Sequence, residues 1–383
     1  MPIVTAVAAP LLEHRVMLRD SVADFTLRAT DIARVRRLRE TPAEYDREIW
    51  TQMAELGWLG ILAPEQYGGL GLGLAEAAIV AEGLARALVP EPYTATAVLA
   101  TTVLAGSDNE LLKEEWVPRV LSGAVLPALA WQERAGALDV GAIETRAAPF
   151  EGGYRLNGTK RFVAGAAGAD AFLVSADTPE GCALFWIGRN TPGIALTLDS
   201  LADGRQFGTL SLSDVTVPRE HVLASAALAP PLLERALDRT MVIAGAELYG
   251  VMSRALEMSL DYMKTRVQFG KPIGSFQALQ HRAVDLYIQQ QLASAVLEDV
   301  VRALDQDPEP GTRARLASRV KARCSDAGLR ITREAIQIHG AIGFTDEYDA
   351  GLYLKRALVL AAWLGNAQQH RRRYAQLAAQ AGA

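Results

Sequence analysis

The chain has 383 residues, half of them hydrophobic and 22% charged, with a formal net charge of −5. That length supports two or three domains with buried cores, and the acidic balance excludes nucleic acid as a bulk electrostatic partner. Its only two cysteines, Cys182 and Cys324, stand far apart in no ligand spacing, so neither a disulfide nor a metal site is expected and a reducing compartment suits the chain.

The opening run M-P-I-V-T-A-V-A-A-P-L-L is apolar but has no basic leader, and no run reaches membrane-spanning length. A cytoplasmic protein without a signal peptide or a membrane partner is therefore expected. From Leu11 to about Gly123 the apolar period is helical: Met53, Leu56, Leu59 and Leu62 recur at threes, and Ala77 to Leu88 makes a second apolar-faced helix. Between them lies A-P-E-Q-Y-G-G-L-G-L-G (63–73). Its glycines miss the dinucleotide spacing, since Glu76 stands where a third glycine belongs and no βαβ unit surrounds it. A turn lining a pocket is expected instead.

Near Val125 the period changes to two. Y-R-L-N-G-T-K-R-F-V (154–163) carries Asn157-Gly158, a strong hairpin signal, and A-F-L-V-S, A-L-F-W-I and T-L-S-L-S-D-V-T-V follow as strands. After Pro230-Pro231 the chain is helical to its end, with helices predicted over 232–264, 276–304 and 312–338 and Ser275 as the cap of the middle one. The order is α, then β, then α, over 1–123, 124–228 and 229–383.

One carboxylate is out of place. In T-M-V-I-A-G-A-E-L-Y-G-V-M, Glu247 shares a helix face with Thr240, Ile243, Ala244, Gly250 and Val251. An unpaired carboxylate buried there is costly, so Glu247 is either partnered, by Arg254 or another cation, shifted toward its neutral form, or working. Two glycine turns also carry chemistry. R-V-Q-F-G-K-P-I-G-S-F-Q (266–277) sets a basic residue beside a turn, where Arg266 can pair with a phosphate, Phe269 can lie on a ring and Gln277 can hydrogen-bond. Q-I-H-G-A-I-G-F-T-D-E-Y (337–348) ends a helix at Gly340, with His339 read as a packing or surface histidine.

Together with L-G-W-L-G-I-L-A-P-E-Q-Y-G-G-L-G-L-G (56–73), these stretches resemble the acyl-CoA dehydrogenase family over nearly the whole chain. The resemblance implies an α+β multidomain fold: an N-terminal α-helical domain, a middle β-barrel or sandwich domain and a C-terminal four-helix-bundle domain. It implies FAD, with cofactor roles falling on Arg266, Gln268, Phe269 and Gln277 and on Gln337, Gly340 and Ala341, the last replacing a glycine. It further implies an acyl-CoA substrate and an electron-transfer flavoprotein as acceptor. FAD shared between subunits implies a homotetramer or a heterotetramer with a related subunit. The chemistry is α,β-dehydrogenation, in which a carboxylate takes the α-proton and the β-hydrogen leaves as hydride to flavin N5.

Several positions depart from the family pattern. Gly365 aligns with one usual base and Thr240 with the other, with Asp238 close to the second but on another face; Glu247, two turns beyond Thr240, is then the candidate base. Such a glutamate resembles a bacterial branch acting on bulky or ring-bearing acyl-CoAs. The segment facing the flavin reads Phe162-Val163-Ala164, so Phe162 can pack on the ring while Ala164 lacks a hydroxyl, for which Gln132 offers a replacement donor. The alternatives are a non-catalytic or half-site subunit of a heterotetramer and a flavin oxidase or monooxygenase on the same fold.

Overall fold

The computed structural model describes residues 9–29, 31–38 and 45–381, so the first eight residues of the apolar N-terminal run lie outside the described residues. The N-terminal part is built from α1 (Ala9–Ala29), α2 (Ile32–Leu38), α3 (Arg47–Glu55), α4 (Leu74–Arg86), a π-helical segment (Thr94–Ala100), α5 (Thr101–Ala105) and α6 (Glu110–Leu121). Asp46 caps α3 by accepting from the Glu48 amide at 2.8 Å. The second expected helix starts three residues early because Glu76 reaches back to the Gly73 amide, 3.1 Å away. The glycine-rich loop is a packing turn whose Gln66, Tyr67 and Gly68 border a surface pocket with Glu110, Glu114 and Pro118. Leu70 and Gly71 donate to the carbonyls of Gly60 and Ala63, and a Cβ on Gly69 would stand 2.1 Å from the Ala63 oxygen.

The middle part is one curled sheet of β1 (Pro127–Ala130), β2 (Arg146–Phe150), β3 (Gly153–Ala164), β4 (Ala171–Thr178), β5 (Gly181–Gly188), β6 (Ile194–Ser200), β7 (Gln206–Pro218) and β8 (Val222–Ala224). The order is β6-β7-β3-β2-β4-β5-β8, with β1 parallel to β4. Asn157-Gly158 does not turn the chain: β3 runs straight through it, and the hairpin lies earlier, between Phe150 and Gly153. The dipeptide makes a bulge against β7 instead. Asn157 exchanges hydrogen bonds with Asp214, and a Cβ on Gly158 would fall 2.5 Å from the Thr145 hydroxyl.

The C-terminal part holds α7 (Ala229–Thr265), α8 (Gln277–Leu304), α9 (Pro310–His339), α10 (Ala350–Ala362) and α11 (Ala367–Ala381). Pro230 and Pro231 sit in the first turn of α7, where their missing amides cost nothing, so the expected break is a helix start. Ser275 does not cap α8: its hydroxyl bonds the Pro272 carbonyl, and Phe276 occupies the cap position without a side-chain bond. The small residues of A-G-A-E-L-Y-G let other helices approach. A Cβ on Gly245 would lie 2.3 Å from Val320 of α9, and one on Gly250 would lie 2.3 Å from the Glu82 carbonyl of α4. Asp238 takes Arg313 at 3.1 Å and Arg373 at 2.9 Å, tying α7 to α9 and α11. Fully buried Lys321 donates to the carbonyls of Leu360 and Ala361 in the last turn of α10 and of Gly365 beyond it, and burial pulls its pKa down to about 7. Among the described residues no helix is long and apolar enough to cross a membrane, and no cluster of ligands suits a metal ion.

Candidate active site

All three parts of the chain meet at one cleft. Its walls come from α4 and the segment leading into the π-helix, from the end of β3 with Arg205 and Phe207, and from Glu247, Arg356, Val359 and Trp363 of the bundle. The π-helix follows the P-E-P-Y segment and opens on Thr94, delivering that hydroxyl into the cleft. Such wide turns recur at functional sites because they push one residue out of helical register.

Glu247 reaches this cleft and is 8% exposed. Its Oε1 accepts a hydrogen bond from the Thr94 hydroxyl at 2.5 Å, and its Oε2 pairs with Nη2 of Arg356 at 2.5 Å. Arg356 in turn donates through Nη1 to Asp203, 3.0 Å away in the β6–β7 connection. Burial works against the guanidinium, but the two carboxylates outweigh it and hold Arg356 charged, above its ordinary range. The expected partner Arg254 is not used; it lies 3.6 Å from Glu257 instead. A second carboxylate, Glu91, also lines the cleft, tied to Arg34 of α2 and to the Asp46 amide at 3.0 Å.

Thr240 and Gly365, the two positions expected from the resemblance to align with a base, do not line this cleft. Thr240 is fully buried and donates to the Ala236 carbonyl, one turn back on its own helix. Gly365 lies past α10 with φ +94°, beside Leu364 at φ +57°; a Cβ on Gly365 would stand 3.0 Å from His370.

The remaining sequence-derived positions divide into two groups. Ala164 lines the cleft, and Phe162 sits just before it at a bulge in β3 with φ +58°, an unusual conformation for a bulky residue. Gln132 belongs to the neighbouring loop, but its amide nitrogen is spent on the carbonyls of Arg134 and Ala137, at 3.0 and 3.2 Å. It closes the loop and is not a free donor. Buried Lys160 of β3 secures that loop by bonding Glu133 within it at 2.6 Å and Ser175 of β4 at 3.0 Å.

The second group is on the surface. Val267–Gln268 and Lys271–Pro272 form a miniature hairpin whose two turn residues, Phe269 and Gly270, have φ of +52° and +78°. Phe269 is thrown outward, 92% exposed, with Arg266, Gln268 and Gln277 exposed beside it. Gln337 and Ala341 are exposed at the end of α9, flanking Gly340 at φ +64°. His339 is a packing residue: its ring lies 4.5 Å from those of Tyr262 and Tyr348, and burial lowers its pKa.

Sequence reasoning missed Thr94, Glu91, Arg356 and Asp203. Arg356 had a visible signal, being the arginine of K-R-A-L-V-L-A-A-W-L-G in a stretch otherwise apolar for two turns.

Three family models match in succession: the acyl-CoA dehydrogenase N-terminal domain over residues 13–124, the middle domain over 128–215 and the C-terminal domain over 232–378. The chain belongs to the acyl-CoA dehydrogenase family. It is 32% identical over 347 residues to acyl-CoA dehydrogenase FadE27 of Mycobacterium tuberculosis, covering 88% of this chain and 90% of that one. It is 31% identical over 337 residues to mitochondrial isovaleryl-CoA dehydrogenase of Solanum tuberosum, covering 85% and 81%. Among solved structures, the ChsE4–ChsE5 complex from Mycobacterium tuberculosis superposes with a TM-score of 0.88 at 27% identity, over 99% of each chain. The chain is thus an oxidoreductase of the acyl-CoA dehydrogenase type, with helical N- and C-terminal parts around a central sheet.

Proposed function

We propose that the chain is an FAD-dependent acyl-CoA dehydrogenase in which Glu247 removes the α-proton. The observation that carries this assignment is that Glu247 lines the cleft while Thr240 and Gly365 do not. Glu247 takes the proton on a carboxylate oxygen, and the C–H electron pair stays on the substrate until the β-hydrogen departs with its own pair. When bound, FAD supplies the acceptor for that hydride.

The residues present fit such a cofactor. Phe162 and Ala164 would border the flavin at the cleft. Arg266, Gln268, Phe269 and Gln277 offer a cation, amides and an exposed ring, and Gln337, Gly340 and Ala341 offer a turn without bulky side chains. The second set lies on the outer surface, which suits FAD held between subunits. Supporting this, α8 leaves Val284, Tyr287, Ile288 and Leu292 half exposed along one face, an apolar stripe that a second subunit would cover. A related subunit as partner is favoured by Ala164, which brings no hydroxyl to the flavin side. Electron-transfer flavoprotein is the proposed acceptor.

Substitution Glu247→Gln tests the assignment. Stopped-flow reduction of bound flavin by a good acyl-CoA substrate is expected to slow by about 10²–10⁴-fold, the usual contribution of a positioned base. Unchanged reduction would remove Glu247 from the mechanism.

A further inference from the structure

Thr94, Glu247, Arg356 and Asp203 form one line of hydrogen bonds drawn from all three parts of the chain. Both oxygens of Glu247 accept one hydrogen bond, and each keeps a second lone pair on which a proton can land. The two contacts differ in kind. Thr94 is a neutral hydroxyl that can rotate away, whereas Arg356 is a buried cation, 6% exposed, whose other terminal nitrogen is fixed by Asp203. Arg356 Nε is buried without any hydrogen-bond partner, so the guanidinium's placement rests on its two carboxylates alone. Asp203 is itself enclosed, with a side chain 6% exposed and the Arg205 guanidinium 3.7 Å away, and it does not line the cleft.

Resting on the assignment of Glu247 as base, we propose that Asp203 is a positioning residue for the reaction. It holds Arg356 in place, and Arg356 holds Glu247 by Oε2, leaving Oε1, bonded only to a neutral hydroxyl, as the oxygen that takes the proton. Without Asp203, Arg356 keeps one anchor instead of two, and the carboxylate follows wherever the guanidinium settles. The middle part of the chain therefore takes part in proton transfer through a side chain that the substrate never meets.

The test is a double-mutant cycle on the FAD-loaded protein, reading flavin reduction, acyl-CoA dissociation constant and thermal midpoint together. Asp203→Asn is expected to slow flavin reduction 10- to 100-fold, with substrate binding changed less than twofold and FAD content unchanged. In a Glu247→Gln background the same change should add nothing, because there is no base left to position. An equal loss in both backgrounds, or a loss that merely tracks FAD content or melting, would overturn the proposal. An inert Glu247→Gln would instead sink the base assignment itself. If Asp203→Asn gives no soluble protein, Asp203→Glu keeps the charge but shifts it by one methylene; a three- to tenfold slower reduction with unchanged binding is then expected, and full activity counts against the proposal.

Discussion

The Glu247 cleft and the Phe269 hairpin are built on opposite plans. At the cleft, Glu247 and Arg356 are nearly enclosed, and Arg356 bonds both Glu247 and the enclosed Asp203 outside the cleft lining, all within a single chain. At the hairpin, Phe269 and its polar neighbours face outward and make few contacts of their own. On the function proposed above, the difference separates two tasks. A base must be held still against desolvation, which a chain can do alone, whereas a cofactor shared between subunits must be met by surfaces left open until assembly.

Three measurements would break or sharpen that contrast beyond the two kinetic tests above. The largest effect on stability is expected from acid. His370 is fully buried, its Nε2 on the Leu364 carbonyl at 2.8 Å, and desolvation, then nearby Lys321, lowers its pKa to about 3. The folded state therefore refuses a proton that the unfolded chain accepts near pH 6.5, so this stability is complete above pH 6.5 and drains away as pH falls toward 3. Over the whole window the loss approaches roughly 3–5 kcal/mol. A thermal midpoint that falls between pH 7.5 and 5 in the native chain, but falls less in His370→Gln, is the expected result; parallel slopes would contradict it.

Gly250→Val comes next. The new Cβ would meet the Glu82 carbonyl at 2.3 Å and drive α7 away from α4, one turn from Glu247. A cost of about 3 kcal/mol is expected from overpacking of that kind, read as a lower unfolding midpoint. An undisturbed midpoint would mean that the two helices have slack.

Phe269→Ala should have the smallest effect on the fold and the clearest on the outer region. Removing a ring that is 92% exposed should change the stability of the cofactor-free protein by no more than about 0.5 kcal/mol. FAD retained through gel filtration should nonetheless fall severalfold. Full retention of FAD would take Phe269 out of the cofactor site.

The helices were legible because their apolar periods are long and uninterrupted: α9 buries Ala317, Val320, Cys324, Ala327, Ile331 and Ala335 at intervals of three and four. Glu247 was legible for the opposite reason, as a charge where the pattern allows none. Asn157-Gly158 misled because its turn preference was absorbed by a bulge, with Asp214 and Thr145 supplying the context that a local signal lacks. The partners of Glu247 were hidden because each sits more than a hundred residues away along the chain and in a different element, Thr94 at a π-helix and Arg356 in α10. No local pattern encodes such a meeting.

The corner at Leu364 and Gly365 carries a consequence for how this site can change. Both residues have positive φ, and the space beside Gly365 is taken by His370 and Leu138. Moving the acid from 247 to 365 is therefore not a trade of two side chains. The loop would have to be rebuilt, and with it the carbonyls of Leu364 and Gly365 on which His370 and Lys321 rest. With α10 and α11 joined through that loop, the backbone at Leu364 and Gly365 admits no larger side chain at 365 without that rebuilding.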